Sequence, residues 1–214
     1  MRSASNKMRN PEMIQKSRND YIEKGNKYKV VVIGVSTGGL KAIKAILSVL
    51  PSGFALSIII VMHRHKETDG YLERSLNDEC NMHVKQADEK EEIKAGIVYV
   101  APPNYHLLIE DDGTFSMSVE GPVNYARPSV DVVFESAAEV YGEGLIGVIL
   151  TGANKDGSRG LKKIKEAGGL AIVQTPETSE AAEMPKAAIA AVDTDYVLPL
   201  DEIGLLLRKL ESER

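Results

Sequence analysis

The 214 residues are 43% hydrophobic and 27% charged, ordinary values for one globular domain with a sizeable core. Cys80 is the only cysteine and the longest strongly apolar run covers residues 56–62, so an internal disulfide and a membrane-spanning helix are both excluded. The net charge of −5 argues against nucleic acid as the main partner, because phosphate binding requires a basic face.

The first 27 residues form a basic segment with seven Lys or Arg against three Asp or Glu, whereas the remainder has 19 against 28. This segment lacks the apolar stretch of a signal peptide, so export is not indicated and we expect a cytoplasmic protein. Its polar composition is typical of a flexible tail. We therefore predict a tail over residues 1–27 and a folded domain over residues 28–214.

Short apolar segments rich in valine and isoleucine alternate with segments of helical period from residue 29 onward. Strands are predicted at 28–35, 55–62, 145–152, 170–174 and 196–200. Helices are predicted at 40–50, 67–80, 129–142, 158–169, around 184–192 and from 201 onward. This alternation predicts an α/β fold with a doubly wound, mostly parallel, Rossmann-like sheet.

Three segments between the second and third of these helices differ from the apolar strands above in how their side chains alternate. They are GIVYVA at 96–101, YHLLIE at 105–110 and TFSMSVE at 114–120. The DDG at 111–113 is a strong hairpin turn between the last two. We interpret this region as an antiparallel β-ribbon inserted into the parallel fold.

Polar residues of three different types follow three predicted parallel strands: Ser36 in GVSTGG, His63 and His65 in MHRH, and Asp156 in TGANKDG. The carboxyl ends of such strands meet at one edge of the sheet, where ligands bind. A hydroxyl, an imidazole and a carboxylate are the groups that nucleophilic acyl transfer requires. The strand ends therefore predict a serine hydrolase site. A zinc centre at His63 and His65 is a distant alternative, because no cysteine pairs with them and no His-rich helix motif is present, and we expect no metal and no cofactor.

The turn at Ser36 allows other interpretations. Gly34, Ser36 and Gly38 match G-x-S-x-G, the strand-to-helix elbow that presents a nucleophilic serine. The same turn is similar to a glycine-rich phosphate-binding loop, although Ser36 stands where the second glycine of a dinucleotide motif belongs. A nucleotide-binding module thus remains an alternative, and Ser36 as a simple helix cap is a third.

From about Val30 to about Leu207 the chain resembles the catalytic domain of the chemotaxis protein-glutamate methylesterases. The shared segments are IGVSTGG, ERSLNDEC, YVAPPNYH, GPVNYARPSVDVVFES, GVILTGANKDGSRGL and EMPKAAI. The resemblance implies hydrolysis of γ-glutamyl methyl esters on the cytoplasmic domains of chemoreceptors, and some members of the family also deamidate receptor glutamines. A non-catalytic relative that only docks on receptors is a further alternative.

The resemblance also implies individual roles. Ser36 corresponds to the family nucleophile, His63 rather than His65 to its histidine, and Asp156 to its aspartate. The N–H groups of Thr37 and Ala153 correspond to the oxyanion donors, and Arg127 lies where substrate is bound.

The chain departs from the family pattern in three places. It has GANKDG where the family usually reads G-M-G-x-D-G, so Ala153 replaces a methionine, and it has MHR where Q-H-M is usual. Ala126 stands where a histidine usually precedes RPSVD. Family members also commonly begin with a phosphorylatable receiver domain, whereas residues 1–27 are too short and polar for one. We therefore expect activity that does not respond to a phosphodonor.

Overall fold

The computed structural model describes residues 27–63 and 70–212, and these ranges contain nine strands and six α-helices. The strands are β1 Val30–Val35, β2 Ser57–Met62, β3 His83–Gln86, β4 Ile97–Val100, β5 His106–Ile109, β6 Phe115–Ser118, β7 Leu145–Ile149, β8 Leu170–Gln174 and β9 Tyr196–Leu198. The helices are α1 Gly39–Leu47, α2 Tyr71–Glu79, α3 Val130–Tyr141, α4 Ser158–Glu166, α5 Glu183–Ala191 and α6 Leu200–Glu211. His65 and all of the predicted tail except Lys27 lie outside the described residues.

The main sheet has seven strands in the order β3-β4-β2-β1-β7-β8-β9, and every neighbouring pair is parallel. Strands β2, β4 and β3 lie on one side of β1, and β7, β8 and β9 lie on the other, so the strand order reverses between β1 and β7. The predicted doubly wound fold is therefore confirmed. In such sheets the ligand site lies beyond the carboxyl ends of the strands at the point where the order reverses, which here is the end of β1 and β7.

The core consists of two apolar layers, one on each face of the sheet. Alternate residues of β1 supply both layers: Val31 and Ile33 pack in the layer that contains Leu207 of α6, whereas Val30 and Val32 pack in the layer that contains Phe134 of α3. Because both faces are covered by helices, the strand is apolar at nearly every position. Within the described ranges, no helix is long and apolar enough to cross a membrane.

The inserted ribbon is confirmed but smaller than predicted. β5 and β6 pair antiparallel, and the turn between them is closed by the Gly113 N–H donating to the Glu110 carbonyl. The GIVYVA segment, however, belongs to the main sheet, where β4 pairs parallel with β2 and β3. Its apolar residues are buried because they lie inside a covered parallel sheet rather than in a two-stranded ribbon.

The edge strand β3 is not visible in the sequence pattern. Its four residues are HVKQ, and only Val84 is buried. A strand at the sheet edge has one neighbour and needs few apolar side chains, so composition alone does not distinguish it from a polar loop.

Candidate active site

The three predicted site positions lie at the ends of three adjacent strands. β1 stands between β2 and β7, and Ser36, His63 and the loop to Asp156 follow these strands. The Ser36 N–H donates to the Thr151 carbonyl at 2.9 Å, which ties the end of β1 to the loop after β7. The sheet therefore brings residues 93 positions apart in the sequence into one site.

Asp156 is completely buried, and its carboxylate accepts hydrogen bonds from the start of α3. The Ser129 hydroxyl and the Asp131 N–H reach Oδ1 at 2.8 and 3.1 Å, and the Val130 N–H reaches Oδ2 at 2.7 Å. The first N–H groups of a helix have no partner inside the helix and carry its positive partial charge. The start of α3 therefore holds the carboxylate in one orientation and favours its charged form.

Two further donors complete the environment of Asp156. The His63 Nε2 lies 2.8 Å from Oδ2, and the Asn124 amide donates to Oδ1 at 3.1 Å. Burial by itself raises the pKa of Asp156, but the hydrogen bonds from His63, Val130 and Asn124 outweigh it and place the pKa below its ordinary value. Asp156 is thus a charged carboxylate at neutral pH, facing one ring nitrogen of His63.

A second buried carboxylate, Asp131, lies beside this network. It accepts hydrogen bonds from the Gly160 N–H and the Asn124 amide, both at 2.8 Å. Burial raises the pKa of Asp131 and the nearby charge of Asp156 adds to the effect, although the Gly160 hydrogen bond opposes it. Asn124 therefore bridges two carboxylates that would otherwise face each other across a short gap.

The close approach of α3 to β1 depends on the absence of a side chain at Gly34. A Cβ added to Gly34 would lie 2.3 Å from Cγ1 of Val130, far inside van der Waals contact. Gly34 thus lets the first turn of α3 reach the end of the sheet. This is a structural reason for the first glycine of the G-x-S-x-G pattern.

His63 is held at both ring nitrogens. Nε2 faces Asp156, and Nδ1 lies 3.0 Å from Nδ2 of Asn154. The orientation of the Asn154 amide is set by its oxygen, which accepts the Asp156 N–H at 2.9 Å. Since an amide nitrogen only donates, Nδ1 carries the lone pair and Nε2 the proton. The imidazole is therefore in the tautomer that presents a basic Nδ1.

Ser36 is partly exposed, in the turn between β1 and α1. Within residues 27–63 and 70–212, its hydroxyl forms no hydrogen bond to His63, and the backbone N–H groups of Thr37 and Ala153 donate to no protein acceptor. Thr37 and Ala153 are both exposed. The turn and the loop after β7 thus place a hydroxyl and two backbone N–H groups without a described protein acceptor at the edge of the sheet that carries the His63–Asp156 pair.

Gly152 forms the floor of this turn. A Cβ at this position would lie 2.0 Å from Sδ of Met184 and 2.9 Å from Cβ of Ser36. The backbone of Gly152 is further held by hydrogen bonds to the Ala181 carbonyl and from the Met184 N–H, both 2.9 Å. Any side chain here would displace either the start of α5 or Ser36.

Arg127 organises the loops beside the site. Its Nη1 donates to the carbonyls of Val119 and Glu120 at 2.7 and 2.8 Å, and its Nη2 donates to Oδ1 of Asn104 at 2.9 Å. The guanidinium therefore joins the loop after β4 to the loop after β6. No group of three or more His, Cys, Asp or Glu side chains in the described part of the chain is placed to hold a metal ion.

Comparison with known proteins identifies the family. The family model "CheB methylesterase" matches residues 31–207. The chain belongs to the CheB methylesterase family. Its fold is that of the crystal structure of the Thermotoga maritima CheB methylesterase catalytic domain, which is 38% identical, with a TM-score of 0.82 over 86% of this chain and 98% of that one.

The chain matches very different shares of its relatives' own lengths. A protein of Leptospira interrogans (strain Fiocruz L1-130) is 58% identical over 185 residues, which are 86% of this chain and 96% of its own length. Protein-glutamate methylesterase/protein-glutamine glutaminase 2 of Rhodospirillum rubrum is 39% identical over 179 residues, 82% of this chain. The match covers only 49% of the Rhodospirillum rubrum protein, so this chain corresponds to about half of that relative.

Sequence reasoning missed several side chains that the structure places at the site. Asn124 and Ser129 lie in the GPVNYARPSVDVVFES segment, but nothing in their spacing indicates that they bind a carboxylate 32 and 27 residues away. Asn154 stands where the CheB methylesterase pattern G-M-G-x-D-G has its second glycine. That departure was the one available signal that this chain places an extra polar side chain beside the histidine.

Proposed function

We propose that this protein is a protein-glutamate methylesterase that hydrolyses γ-glutamyl methyl esters on the cytoplasmic domains of chemoreceptors, and that residues 28–214 carry the activity. A substrate of this kind places the enzyme in the cytoplasm. The observation that carries the proposal is the His63–Asp156 pair, with a contact of 2.8 Å. It lies at the same sheet edge as the Ser36 hydroxyl, which forms no hydrogen bond with another residue of 27–63 or 70–212, in a chain of the CheB methylesterase family.

In the acylation step Ser36 is the nucleophile. Its Oγ attacks the ester carbonyl carbon while its proton passes to Nδ1 of His63, the nitrogen that Asp156 does not hold. The imidazolium that forms is stabilised by the charged carboxylate of Asp156. When the tetrahedral intermediate collapses, the bond to the methoxy oxygen breaks, and the proton on Nδ1 passes to that oxygen to release methanol.

The oxyanion of the intermediate is stabilised by the N–H groups of Thr37 and Ala153. Both groups donate to no protein acceptor within the described ranges, so they are available to a substrate oxygen. Removing one such donor in other enzymes lowers turnover by roughly 10²–10³-fold. Since backbone N–H groups do this work, the alanine at position 153 supports the role as well as a methionine would.

In the deacylation step water attacks the glutamyl-Ser36 ester. One of its protons passes to Nδ1 of His63 and then to Oγ of Ser36, which restores the enzyme and leaves the glutamate side chain as a carboxylic acid that loses its remaining proton to solvent. A glutamine side chain enters the same cycle with ammonia as the leaving group. The same residues therefore support deamidation of receptor glutamines, which agrees with the glutaminase activity in the names of relatives.

Arg127 acts at the rim of the site in this proposal. Its hydrogen bonds to the loops after β4 and β6 shape the surface that meets the receptor segment around the ester.

The proposal is tested by methanol release from receptor membranes that carry methyl esters. The purified full-length protein releases methanol, and the Ser36→Ala variant does so several orders of magnitude more slowly, roughly 10³-fold or more, with an unchanged melting temperature. Absence of esterase activity in the wild type, together with a large rise in melting temperature on adding nucleotide, would overturn the proposal in favour of a phosphate-binding turn.

A further inference from the structure

The contact between Asn154 and His63 is not part of the catalytic cycle described above. Asn154 places Nδ2 at 3.0 Å from Nδ1 of His63, which is the nitrogen that must receive the proton of Ser36. The Asn154 amide and the Ser36 hydroxyl therefore compete for one lone pair. The two donors belong to neighbouring parts of the backbone. Asn154 lies two residues after Gly152, and Gly152 packs against Ser36.

The asparagine is held in place independently of the histidine. Its Oδ1 accepts the N–H of Asp156 at 2.9 Å, so the amide cannot turn over without leaving a backbone donor unpaired. Asn154 is half-buried, whereas the next residue, Lys155, is exposed. In the resting site the amide is thus oriented as a donor toward Nδ1, and this contact must break before Nδ1 can accept a proton.

The geometry points to Asn154 as a positioning residue that caps the base of the resting site. Resting on the proposed function, we infer that Asn154 occupies Nδ1 of His63 until substrate binds, and withdraws when Ser36 hands over its proton. A protonated Nδ1 is a donor, and a donor facing the amide nitrogen of Asn154 has no acceptor. The cap therefore opposes the proton transfer rather than assisting it.

The tautomer of His63 does not depend on this cap. The charged carboxylate of Asp156 already holds the proton on Nε2, and five donors fix that carboxylate in turn. Removing the Asn154 side chain consequently frees the lone pair and leaves these five hydrogen bonds to the carboxylate in place, while the Asp156 N–H loses its acceptor. A hydrogen bond of this kind contributes a factor of about two to ten in an equilibrium, which sets the size of the expected effect.

Two substitutions separate this role from a structural one. In Asn154→Ala the cap is absent, and kcat/KM for methanol release rises by about two- to tenfold. In Asn154→Asp the shape is kept, but the side chain accepts instead of donating and holds a proton on Nδ1. We expect kcat/KM to fall by about tenfold or more in that variant. Lys155→Ala, one residue along the same loop, is the matched control and leaves the rate unchanged.

Nitrogen NMR of the full-length protein labelled at histidine supplies a readout that does not require turnover. In the wild type the His63 ring shows a proton on Nε2 and an acceptor at Nδ1. In Asn154→Ala the Nδ1 resonance moves toward that of a free lone pair while Nε2 stays protonated. In Asn154→Asp the proton is found on Nδ1 as well.

An unchanged or lower kcat/KM in Asn154→Ala, or an unmoved Nδ1 resonance, would overturn this inference and leave the proposed function intact. Full activity of the Ser36→Ala variant in the same assay would instead overturn the proposed function. The two failures are therefore distinguishable in one set of measurements.

Discussion

Asp156 and Ser36, the two outer residues of the proposed catalytic triad, lie in opposite environments. Asp156 is completely buried and accepts five hydrogen bonds, whereas Ser36 is partly exposed and its hydroxyl forms no hydrogen bond to the histidine. His63 stands between them with 17% of its side chain exposed. The difference separates orienting groups, which the fold fixes, from the reacting group, which must be free to bond with substrate.

The unfavourable free energy of this arrangement arises at its buried end, from the charged carboxylate of Asp156. A charged carboxylate without partners inside a protein is strongly unfavourable, so it requires a complete set of donors. Two side chains, two helix N–H groups and the histidine supply that set. Substitutions at the buried end should therefore change stability as well as rate, whereas substitutions at the exposed end should change rate alone.

The largest effect is expected at the histidine. His63→Ala removes the base and should lower methanol release by roughly 10⁴-fold, with little change in melting temperature. His65→Ala is the matched control and should retain most of the activity, because only one of the two neighbouring histidines can reach Ser36 while Asp156 holds its other nitrogen. Equal losses in the two variants would contradict the assignment of the base.

Asp156→Asn should affect both rate and stability. The rate is expected to fall by roughly 10³–10⁴-fold. At neutral pH the free energy of unfolding should fall by about 2–3 kcal/mol, since the amide nitrogen would face donors that have lost their acceptor.

The stability difference should depend on pH with a defined sign. The pKa of Asp156 in the folded protein lies below its ordinary value of 3.8. The charged carboxylate therefore contributes stability that is present above pH 3.8 and is lost as the pH falls through the lower folded-state pKa. Denaturant titrations at pH 7 and pH 3 should show the gap between wild type and Asp156→Asn narrowing at the lower pH; a gap that widens would contradict the charged carboxylate.

Gly152→Ala should act mainly at the exposed end. The added Cβ would lie 2.0 Å from Sδ of Met184 and 2.9 Å from Cβ of Ser36, so one of the two must move. A displacement of about 1 Å at a nucleophile lowers turnover by about 10²-fold. Measurements of rate and melting temperature check this prediction. Gly53→Ala is the control, because a Cβ at Gly53 has no neighbour within 4 Å. Normal activity of Gly152→Ala would show that a shift of α5 alone accommodates the added methyl group.

The smallest effect on rate is expected for Ser129→Ala. The variant loses a 2.8 Å hydrogen bond to Asp156 but leaves four other donors in place. We expect a loss of about 1.5–3 kcal/mol in the free energy of unfolding and a fall in rate of no more than about tenfold. The exposed Ser48→Ala is the control, and a rate loss as large as that of Asp156→Asn would show that the buried network is less redundant than its contacts indicate.

Only the site residues that follow the parallel strands can be predicted from the sequence. Apolar β-branched runs predicted β1, β2 and β7, and the parallel arrangement then brought Ser36, His63 and Asp156 to one edge. The donors around Asp156 were not predictable, because their contacts depend on how closely α3 approaches β1. Likewise, the sequence pattern assigns β4 to the ribbon rather than to the main sheet, because a short alternating segment does not reveal which strands it pairs with.

Covalent labelling tests most directly whether Ser36 is the nucleophile. The wild-type protein is treated with a fluorophosphonate, which forms a stable bond to an activated serine Oγ with loss of fluoride, and the modified peptide is located by mass spectrometry. We expect one label, on the peptide that contains Ser36; labelling should be strongly slowed in His63→Ala and absent in Ser36→Ala. An active esterase whose Ser36 stays unlabelled while another serine is modified would contradict it.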